Sequence, residues 1–366
     1  GPNGNLVYGI RETLLGSDKL TWEKSYKTNI GLEMMLWGKL NLTLDYYWER
    51  RKDILIQRSS LPSMAGFDAS IYANMGEMDN KGVDANLEYQ TRIGNKVGLR
   101  LFGNLTYSKN KIVFRDEPAM QYAYQKSEGT RYGEFYGYIA EGYFQSEEEI
   151  KKSPRQMREL APGDIKYKDL NDDGVIDAND QCYLGKSWFP SWSYGMGFNI
   201  NYHNFDLALF FQGVSDVSIM ANGGSIDTGN GDWGASGVGI VPFTGMGLNP
   251  SNVITKALDR WTADNPRADA WYPRMTANAT TNDNNYVNST HWLKDGSYLR
   301  LKQASLGYTL ENKKLMDKGI EYLYFYLSGQ NLLTFSKFKL WDPELGSNGA
   351  KYPLSRMVTL GMRVSF

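Results

Sequence analysis

The stretch Leu40-Asn41-Leu42-Thr43-Leu44-Asp45-Tyr46-Tyr47-Trp48-Glu49 decides the fold class. Its leucines, Tyr46 and Trp48 fall on one face of an extended chain, and the residues between them fall on the other. Side chains of a β-strand point alternately to opposite faces, so this period of two predicts a strand with one apolar face. The segment before it ends at Trp37, which leaves only Gly38-Lys39 for a tight hairpin turn.

The same alternation recurs along the whole chain. The 366 residues include 25 Tyr, 15 Phe, 10 Trp and 38 Gly, a composition that suits membrane barrels with aromatic girdles. The mean hydropathy of -0.50 agrees, because only every second residue of a barrel strand meets lipid. No run approaches the roughly 20 apolar residues that a spanning helix needs. The predicted strands cover about 24–37, 40–49, 83–93, 97–107, 193–202, 205–212, 298–310, 322–333 and 355–366.

The connections between these strands alternate between short and long. The long ones cover about 58–72, 113–190, 218–295 and 336–354. Outer-membrane barrels have short periplasmic turns and long extracellular loops, whereas a soluble sandwich has comparable loops at both ends. The sequence therefore predicts an all-β, transmembrane antiparallel β-barrel with long extracellular loops. A strand-like segment at 135–144 would break the up-and-down order, so we place it in an extracellular hairpin.

About nine crossings follow from this pattern, and the first and the last run in the same direction. Two such strands cannot pair antiparallel to close a barrel. The first residues, Gly1-Pro2-Asn3-Gly4, contain neither an initiator Met nor the apolar core of a signal peptide. We therefore expect residues 1–366 to be the C-terminal part of one larger barrel, completed by N-terminal sequence.

Several function classes are disfavoured by composition. The net charge of -1, from 40 basic and 41 acidic residues, argues against a nucleic-acid partner. With Cys182 as the only cysteine and His203 and His291 as the only histidines, a disulfide framework or a multi-histidine metal site is not expected. No nucleophile motif or phosphate loop is found, so we expect no enzymatic activity.

The sharpest local motif is the acidic stretch 169–180 in the loop 113–190. It follows the twelve-residue calcium-loop pattern, with a glycine, Gly174, at the sharp turn. Position 12 is Asp180, where the pattern has a bidentate Glu. The alternative is an Asx-rich turn without metal. The six predicted Ca²⁺ ligands are Asp169, Asn171, Asp173, Val175 through its carbonyl, Asp177 and Asp180.

The long loops are also rich in aromatic residues. Aromatic faces stack on sugar rings and on apolar side chains, so these residues are candidates for contact with a ligand or a partner protein; the alternative is that they close the core of the loops. A helix is predicted to open at Ser251 and to reach Trp261, either packing the loop or contacting a partner. The aromatic candidates are Trp188, Trp233, Trp261, Trp271 and Trp292.

A set of short motifs, taken in order along nearly the whole chain, resembles the C-terminal half of SusC-like (SusC/RagA-type) TonB-dependent outer-membrane transporters. The motifs are Leu61-Pro62-Ser63 with Gly66, Asn74-Met75-Gly76-Glu77-Met78-Asp79-Asn80-Lys81-Gly82-Val83-Asp84, Asn110-Lys111-Ile112, Pro162-Gly163-Asp164-Ile165-Lys166-Tyr167, Phe205-Asp206-Leu207, Phe211-Gln212-Gly213, Tyr298-Leu299-Arg300-Leu301-Lys302, Leu306-Gly307-Tyr308, Gly329-Gln330-Asn331-Leu332-Leu333, Trp341-Asp342-Pro343-Glu344, and Tyr352-Pro353 through Arg356 to Phe366.

The resemblance implies a 22-stranded barrel with an N-terminal plug in the outer membrane of a Gram-negative bacterium. It implies TonB-dependent import of oligosaccharides or peptides, with a SusD-like surface lipoprotein as a lid and the TonB complex as the source of energy. The loops 113–190 and 218–295 are then expected to bind the lid. Two alternatives stay open: a passive porin or adhesin, and a soluble Ca-dependent carbohydrate-binding or hydrolytic β-protein.

Overall fold

A computed structural model describes residues 14–15, 19–60, 70–94, 96–222, 254–275, 283–349 and 351–366. Strands dominate it, and the helical elements are two short α-helices, α1 (Glu147–Lys152) and α2 (Lys313–Met316), and single 3-10 turns such as Thr255–Leu258. None of the helices in the described ranges has the length and apolar content to cross a membrane. The strands are β1 (Leu14–Leu15), β2 (Lys24–Leu36), β3 (Leu40–Gln57), β4 (Ser70–Ile93), β5 (Val97–Phe114), β6 (Glu134–Gly137), β7 (Ala140–Tyr143), β8 (Ile165–Tyr167), β9 (Cys182–Ser187), β10 (Trp192–Tyr202), β11 (Phe205–Ser215), β12 (Ser218–Met220), β13 (Leu293–Asp295), β14 (Tyr298–Leu310), β15 (Tyr322–Ser336) and β16 (Met357–Ser365).

One large sheet contains all nine predicted strands, in the order β16-β15-β14-β11-β10-β5-β4-β3-β2. Every neighbouring pair along this path is antiparallel, and β1 pairs with β4 in parallel beside it. The predicted number of strands and their alternating direction are therefore confirmed. The first hairpin turn begins one residue earlier than predicted, because Trp37 and Gly38 both take positive φ angles of 55° and 64°.

The two faces of the sheet differ in chemistry, as the alternation predicts. Residues that pair across neighbouring strands form rows, and two adjacent rows show the difference. One row contains Met34, Leu42, Leu87, Gly103, Met196, Phe211, Leu301 and Leu333. The row beside it, on the opposite face, contains Glu33, Thr43, Asn86, Asn104, Gly195, Gln212, Arg300 and Thr334.

Aromatic residues on the apolar face form two rows near the two ends of the strands. Tyr202 and Trp192 mark these rows on β10 and lie ten residue steps apart, which is about 33 Å along the strand. With the usual tilt of barrel strands this becomes a band about 25 Å tall, the height of a lipid-facing band between aromatic girdles. One row contains Tyr202, Phe205, Tyr308 and Phe325. The other contains Tyr46, Tyr107 and Trp192, with Val83 between the first two.

The long connections fold beyond one end of the sheet, which we call the loop end. Here two sequence-based expectations are corrected. Residues 135–144 lie outside the large sheet, as expected, but they form two strands that pair with distant partners, β6 with β9 and β7 with β8, and not with each other. The predicted helix at 251–261 is a single 3-10 turn over Thr255–Leu258, and Trp261 instead donates its backbone N–H to Tyr272 O; Ser251 lies outside the described residues.

Candidate functional site

The loops at the loop end share one buried core, which we call the cap core. It joins the connection between β5 and β10 to the connection between β11 and β14. Trp292 and Tyr272 are fully buried at its centre, with ring centroids 5.6 Å apart. The buried members are Phe135, Tyr138, Tyr143, Ile165, Tyr167, Ile176, Met220, Ala257, Trp261, Ala270, Tyr272 and Trp292.

The predicted aromatic candidates are distributed unevenly around this core. Trp292 and Trp261 are buried within it and Trp271 packs against it, which agrees with the alternative interpretation that aromatics close the loop core. Trp188 is 52% exposed, and its ring meets those of Phe135 and Phe189 edge-on. Trp233 lies outside the described residues. Contact with a ligand or partner stays a prediction for these tryptophans, of which Trp188 is exposed and Trp271 is partly buried.

A polar network that the sequence did not reveal locks the two cap loops together. The carboxylate of Asp164 is fully buried and receives a two-pronged bond from Arg274, with Nε–Oδ1 at 3.0 Å and Nη2–Oδ2 at 2.9 Å. Asn285 Nδ2 donates to Oδ1 of the same carboxylate at 2.8 Å, and Ala161 N donates to Oδ2 at 2.9 Å. Four donors thus replace the water that a buried carboxylate loses.

Gly163 precedes this aspartate, and the backbone conformation at this position favours glycine. Its φ is 93°, and a Cβ at this position would fall against the ring of Trp261. Gly163 therefore brings the Asp164 segment against the second loop.

The acidic stretch 169–180 folds into a series of turns held by its own side chains. Asp169 accepts from Asp172 N at 2.7 Å and from Gly174 N at 2.8 Å, and Asp173 accepts from Val175 N at 2.9 Å. Asp180 is fully buried and accepts from Leu170 N at 2.7 Å and Asp177 N at 2.9 Å.

These contacts bear on the predicted calcium ligands. The side-chain and carbonyl oxygens are of the type that Ca²⁺ prefers. Within the described part of the chain, however, no three His, Cys, Asp or Glu side chains are grouped so that they could hold a metal ion. The hydrogen bonds given above describe an Asx-rich turn, and calcium binding by this stretch stays a prediction.

The polar face of the sheet carries ion pairs between neighbouring strands. Arg100 and Glu88 are joined by two bonds of 2.9 and 3.0 Å. Near the opposite ends of the strands, Arg300 is 99% buried and holds Asp342 at 2.7 Å, so it ties β14 to the connection after β15. Charged pairs of this kind give the face a surface suited to water or to another polar domain, not to lipid.

Comparison with known proteins shows which family and which relatives this chain is similar to. Residues 1–332 match the family model described as "TonB dependent receptor-like, beta-barrel". TonB-dependent receptor P3 of Formosa agariphila is 28% identical over 98% of the chain, and TonB-dependent receptor SusC of Bacteroides thetaiotaomicron is 23% identical over all of it. The chain spans only 36% and 34% of the length of these two relatives.

Solved structures agree on the fold. The RagAB peptide importer in its closed-closed state superposes with a TM-score of 0.72 at 24% identity, over 97% of this chain and 36% of that one. A second structure, of the RagAB peptide transporter, gives a TM-score of 0.71 at 21% identity over 98% of this chain and 37% of that one. The nine-stranded sheet is therefore the arrangement found in part of a TonB-dependent barrel.

Proposed function

This chain belongs to the TonB dependent receptor-like β-barrel family and is a component of the outer membrane of a Gram-negative bacterium, and from this premise we propose that it forms part of the wall of an importer for bulky nutrients. The proposal is carried by one observation: two adjacent cross-strand rows, one apolar and one polar, lie on opposite faces across eight of the nine strands of the sheet. Lipid would cover the first face, and the second would line the lumen against a plug supplied by sequence outside the chain.

The two named relatives support energy-coupled import as the function of the whole protein. In this proposal TonB supplies the energy, and oligosaccharides or peptides are the cargo. The alternative of a passive porin predicts uptake without TonB. The alternative of a soluble carbohydrate-binding protein does not explain why aromatic residues form two rows on the apolar face, near the two ends of the strands.

A surface lipoprotein of the SusD type is the proposed partner at the loop end. The structures named above are of RagAB assemblies, and SusC is among the relatives. An exposed aromatic group formed by Tyr132, Trp188 and Phe189, with the Tyr132 and Phe189 centroids 5.9 Å apart, offers a contact of the kind that protein interfaces use.

Uptake in whole cells tests the transport proposal. Cells that express the full-length receptor would be supplied with fluorescent oligosaccharide or peptide mixtures, with and without a functional TonB. We expect uptake only when TonB is present. Equal uptake in its absence would contradict active import and favour the porin.

Calcium binding by residues 169–180 also remains a proposal, supported by the order of oxygen-bearing residues. The test is a calorimetric titration of the chelator-treated receptor with CaCl₂. We expect the unmodified receptor to bind one Ca²⁺ ion in this loop, and we expect Asp173→Asn to lower the affinity for that ion at least about tenfold. Asp269→Asn, at an exposed aspartate outside the loop, is the matched control. If titration of the unmodified receptor releases no more heat than dilution of CaCl₂ into buffer, the calcium proposal is contradicted and the loop is an Asx-rich turn without metal.

A further inference from the structure

An open pocket of about 810 Å³ lies at the loop end, between the connection that precedes β14 and the connection that follows β15. Its walls come from residues 254–256, Trp271, the last residues of β13, and residues 337–341. The volume is within the range of sites that enclose a small ligand. Neither the transport proposal nor the calcium loop uses this pocket, which we call the lysine pocket.

The charge of its lining is strongly positive. Among the residues that the structure describes, the lining contains four lysines, Lys256, Lys294, Lys337 and Lys339, against a single carboxylate, that of Asp295. Lys256 is held by Asp259 at 2.7 Å. Among the described residues, Lys294, Lys337 and Lys339 take part in no ion pair, so their three positive charges face the pocket against the one carboxylate of Asp295.

The other nearby carboxylates are engaged elsewhere. Arg300 lies 2.7 Å from Asp342 and 3.5 Å from Glu344, and the hydroxyl of Tyr298 donates to Glu344 at 2.5 Å. Asp342 follows Trp341 directly and Glu344 lies two residues further on, and the buried Arg300 compensates one of their two negative charges. Lysines outnumber carboxylates in these walls, and such an excess of one sign of charge focuses the field, so the lysine pocket attracts anions.

Aromatic rings form part of the same walls. Lys294 Nζ lies 5.3 Å from the centroid of the Trp271 ring, and Phe338 meets Trp341 edge-on at 4.8 Å. Lys294 Nζ donates one of its three protons to His291 O at 2.6 Å, which leaves donors for a ligand. Burial lowers the pKa of Lys294 to about 8, so its charge is poorly solvated and would gain from a bound anion.

We propose that the lysine pocket binds the acidic group of an oligosaccharide cargo, either a uronate carboxylate or a sulfate ester. The lysines would pair with the anion, while Trp271 and Trp341 would lie beside the sugar ring and Thr255 and Asp295 would meet its hydroxyls. An acidic peptide offers carboxylates but not a ring covered with hydroxyls, so the mixed lining favours a saccharide. The inference rests on the proposed import function and narrows its cargo.

Equilibrium binding to the full-length receptor in detergent micelles tests this inference. The probes are an oligogalacturonate, a sulfated oligosaccharide, a neutral maltooligosaccharide of equal length, and a peptide of aspartate and glutamate. We expect at least one of the two acidic saccharides to bind, and to bind more tightly than the neutral saccharide and the peptide. Whichever acidic saccharide binds more tightly identifies the acidic group as a carboxylate or a sulfate ester.

The double variant K337A/K339A removes two of the uncompensated charges and is expected to weaken binding at least about tenfold, as lost charge-assisted contacts do. The matched control is K151A/K152A, which removes the same charge from the exposed end of α1 in another loop. Raising the salt concentration should weaken binding to the unmodified receptor more than binding to K337A/K339A. The near-ultraviolet circular dichroism of each variant reports whether the cap remains folded.

Three results would overturn the inference: no binding of either acidic saccharide, equal binding of the neutral one or of the peptide, or equal losses in the two double variants. The binding measurement requires no TonB, whereas the uptake assay does. A receptor that imports its cargo through TonB but fails this binding test would refute the lysine pocket alone.

Discussion

At the scale of single residues, the cap depends on polar groups that are sealed from water. Asp164 is the clearest, because it is fully buried and its partner Arg274 lies 110 residues away in the other cap loop. A buried charge without its partner is far more costly than a broken surface pair. This single contact therefore couples the two longest connections of the chain.

Replacing Asp164 by Ala should expose that dependence. The free energy for opening the cap, measured by hydrogen exchange at the amide of Phe144, which donates to Asp164 O, should fall by about 3–5 kcal/mol. Asp269→Ala removes an exposed carboxylate from the loop that contains Arg274 and should change this free energy by less than about 1 kcal/mol. A small effect of Asp164→Ala would mean that Arg274 finds water or another partner.

His291 makes the cap sensitive to acid. Burial lowers the pKa of its imidazole to about 3, and Nε2 lies 3.1 Å from Trp271 O. The unfolded state takes up a proton below about pH 6.5 while the folded cap does not, so stability is lost as the pH falls from about 6.5 towards 3. At pH 5 the expected loss is about 2 kcal/mol relative to pH 7.

Hydrogen exchange of the cap amides at pH 5 and pH 7, corrected for intrinsic rates, measures this loss. His291→Gln keeps a donor for Trp271 O but does not titrate, and it should remove most of the difference. If the variant and the unmodified receptor respond equally to pH, another group is responsible.

Some residue-level features could be predicted from the sequence and others could not. The acidic stretch 169–180 was visible because its members are adjacent in the chain. The lysine pocket and the Asp164–Arg274 pair were not, because their members are far apart in sequence and meet only through the tertiary fold.

At the scale of elements, the alternation located all nine strands but not their full length. β3 continues to Gln57 and β4 begins at Ser70, beyond the alternating stretches, where Arg50 pairs with Asp79 on the neighbouring strand. Backbone pairing continues there although the side chains no longer need to separate lipid from water. The alternation therefore reports the lipid-facing part of a strand and not its end.

The predicted helix at 251–261 failed for a related reason. The apolar spacing that suggested it serves the cap core, since Ala257 and Trp261 are both buried there. The backbone of Trp261 is paired with Tyr272, which a helix would not allow.

Two neighbouring residues of β11 give a matched test of the faces. Leu209 pairs with Phe198 and Ala304 on the apolar face, and Ala208 pairs with Asn199 and Ser305 on the polar face. Leu209→Arg should destabilise the barrel by about 2–4 kcal/mol, because it places a charge near the middle of the bilayer. Ala208→Arg carries the same new charge into the lumen and should cost much less.

The fraction of each variant assembled in the outer membrane, and its unfolding by urea in lipid vesicles, measure this difference. Equal losses in the two variants would mean that the two faces of β11 meet similar surroundings.

At the scale of the whole molecule, the sheet is open along β2 and β16 in the described part of the chain. Both edge strands run in the same direction, as the count of nine requires. The chain spans about a third of the length of its relatives. That the wall described here is the C-terminal part of a larger barrel stays a prediction. What the sequence could not supply was the cap, whose core is assembled from loops that have no periodic pattern.

Spin labels placed one at a time at positions 193–201 of β10, in a full-length receptor with Cys182→Ser reconstituted in lipid, test the central claim. The frequency of collision with oxygen, which concentrates in lipid, should be high at Tyr194, Met196, Phe198 and Ile200. The frequency of collision with a water-soluble nickel complex should be higher at the positions between them than at these four. A regular period of two, with oxygen and nickel exposure out of phase, is the predicted result. Uniform exposure to the nickel complex along the strand, or no period at all, would contradict a wall with lipid on one side.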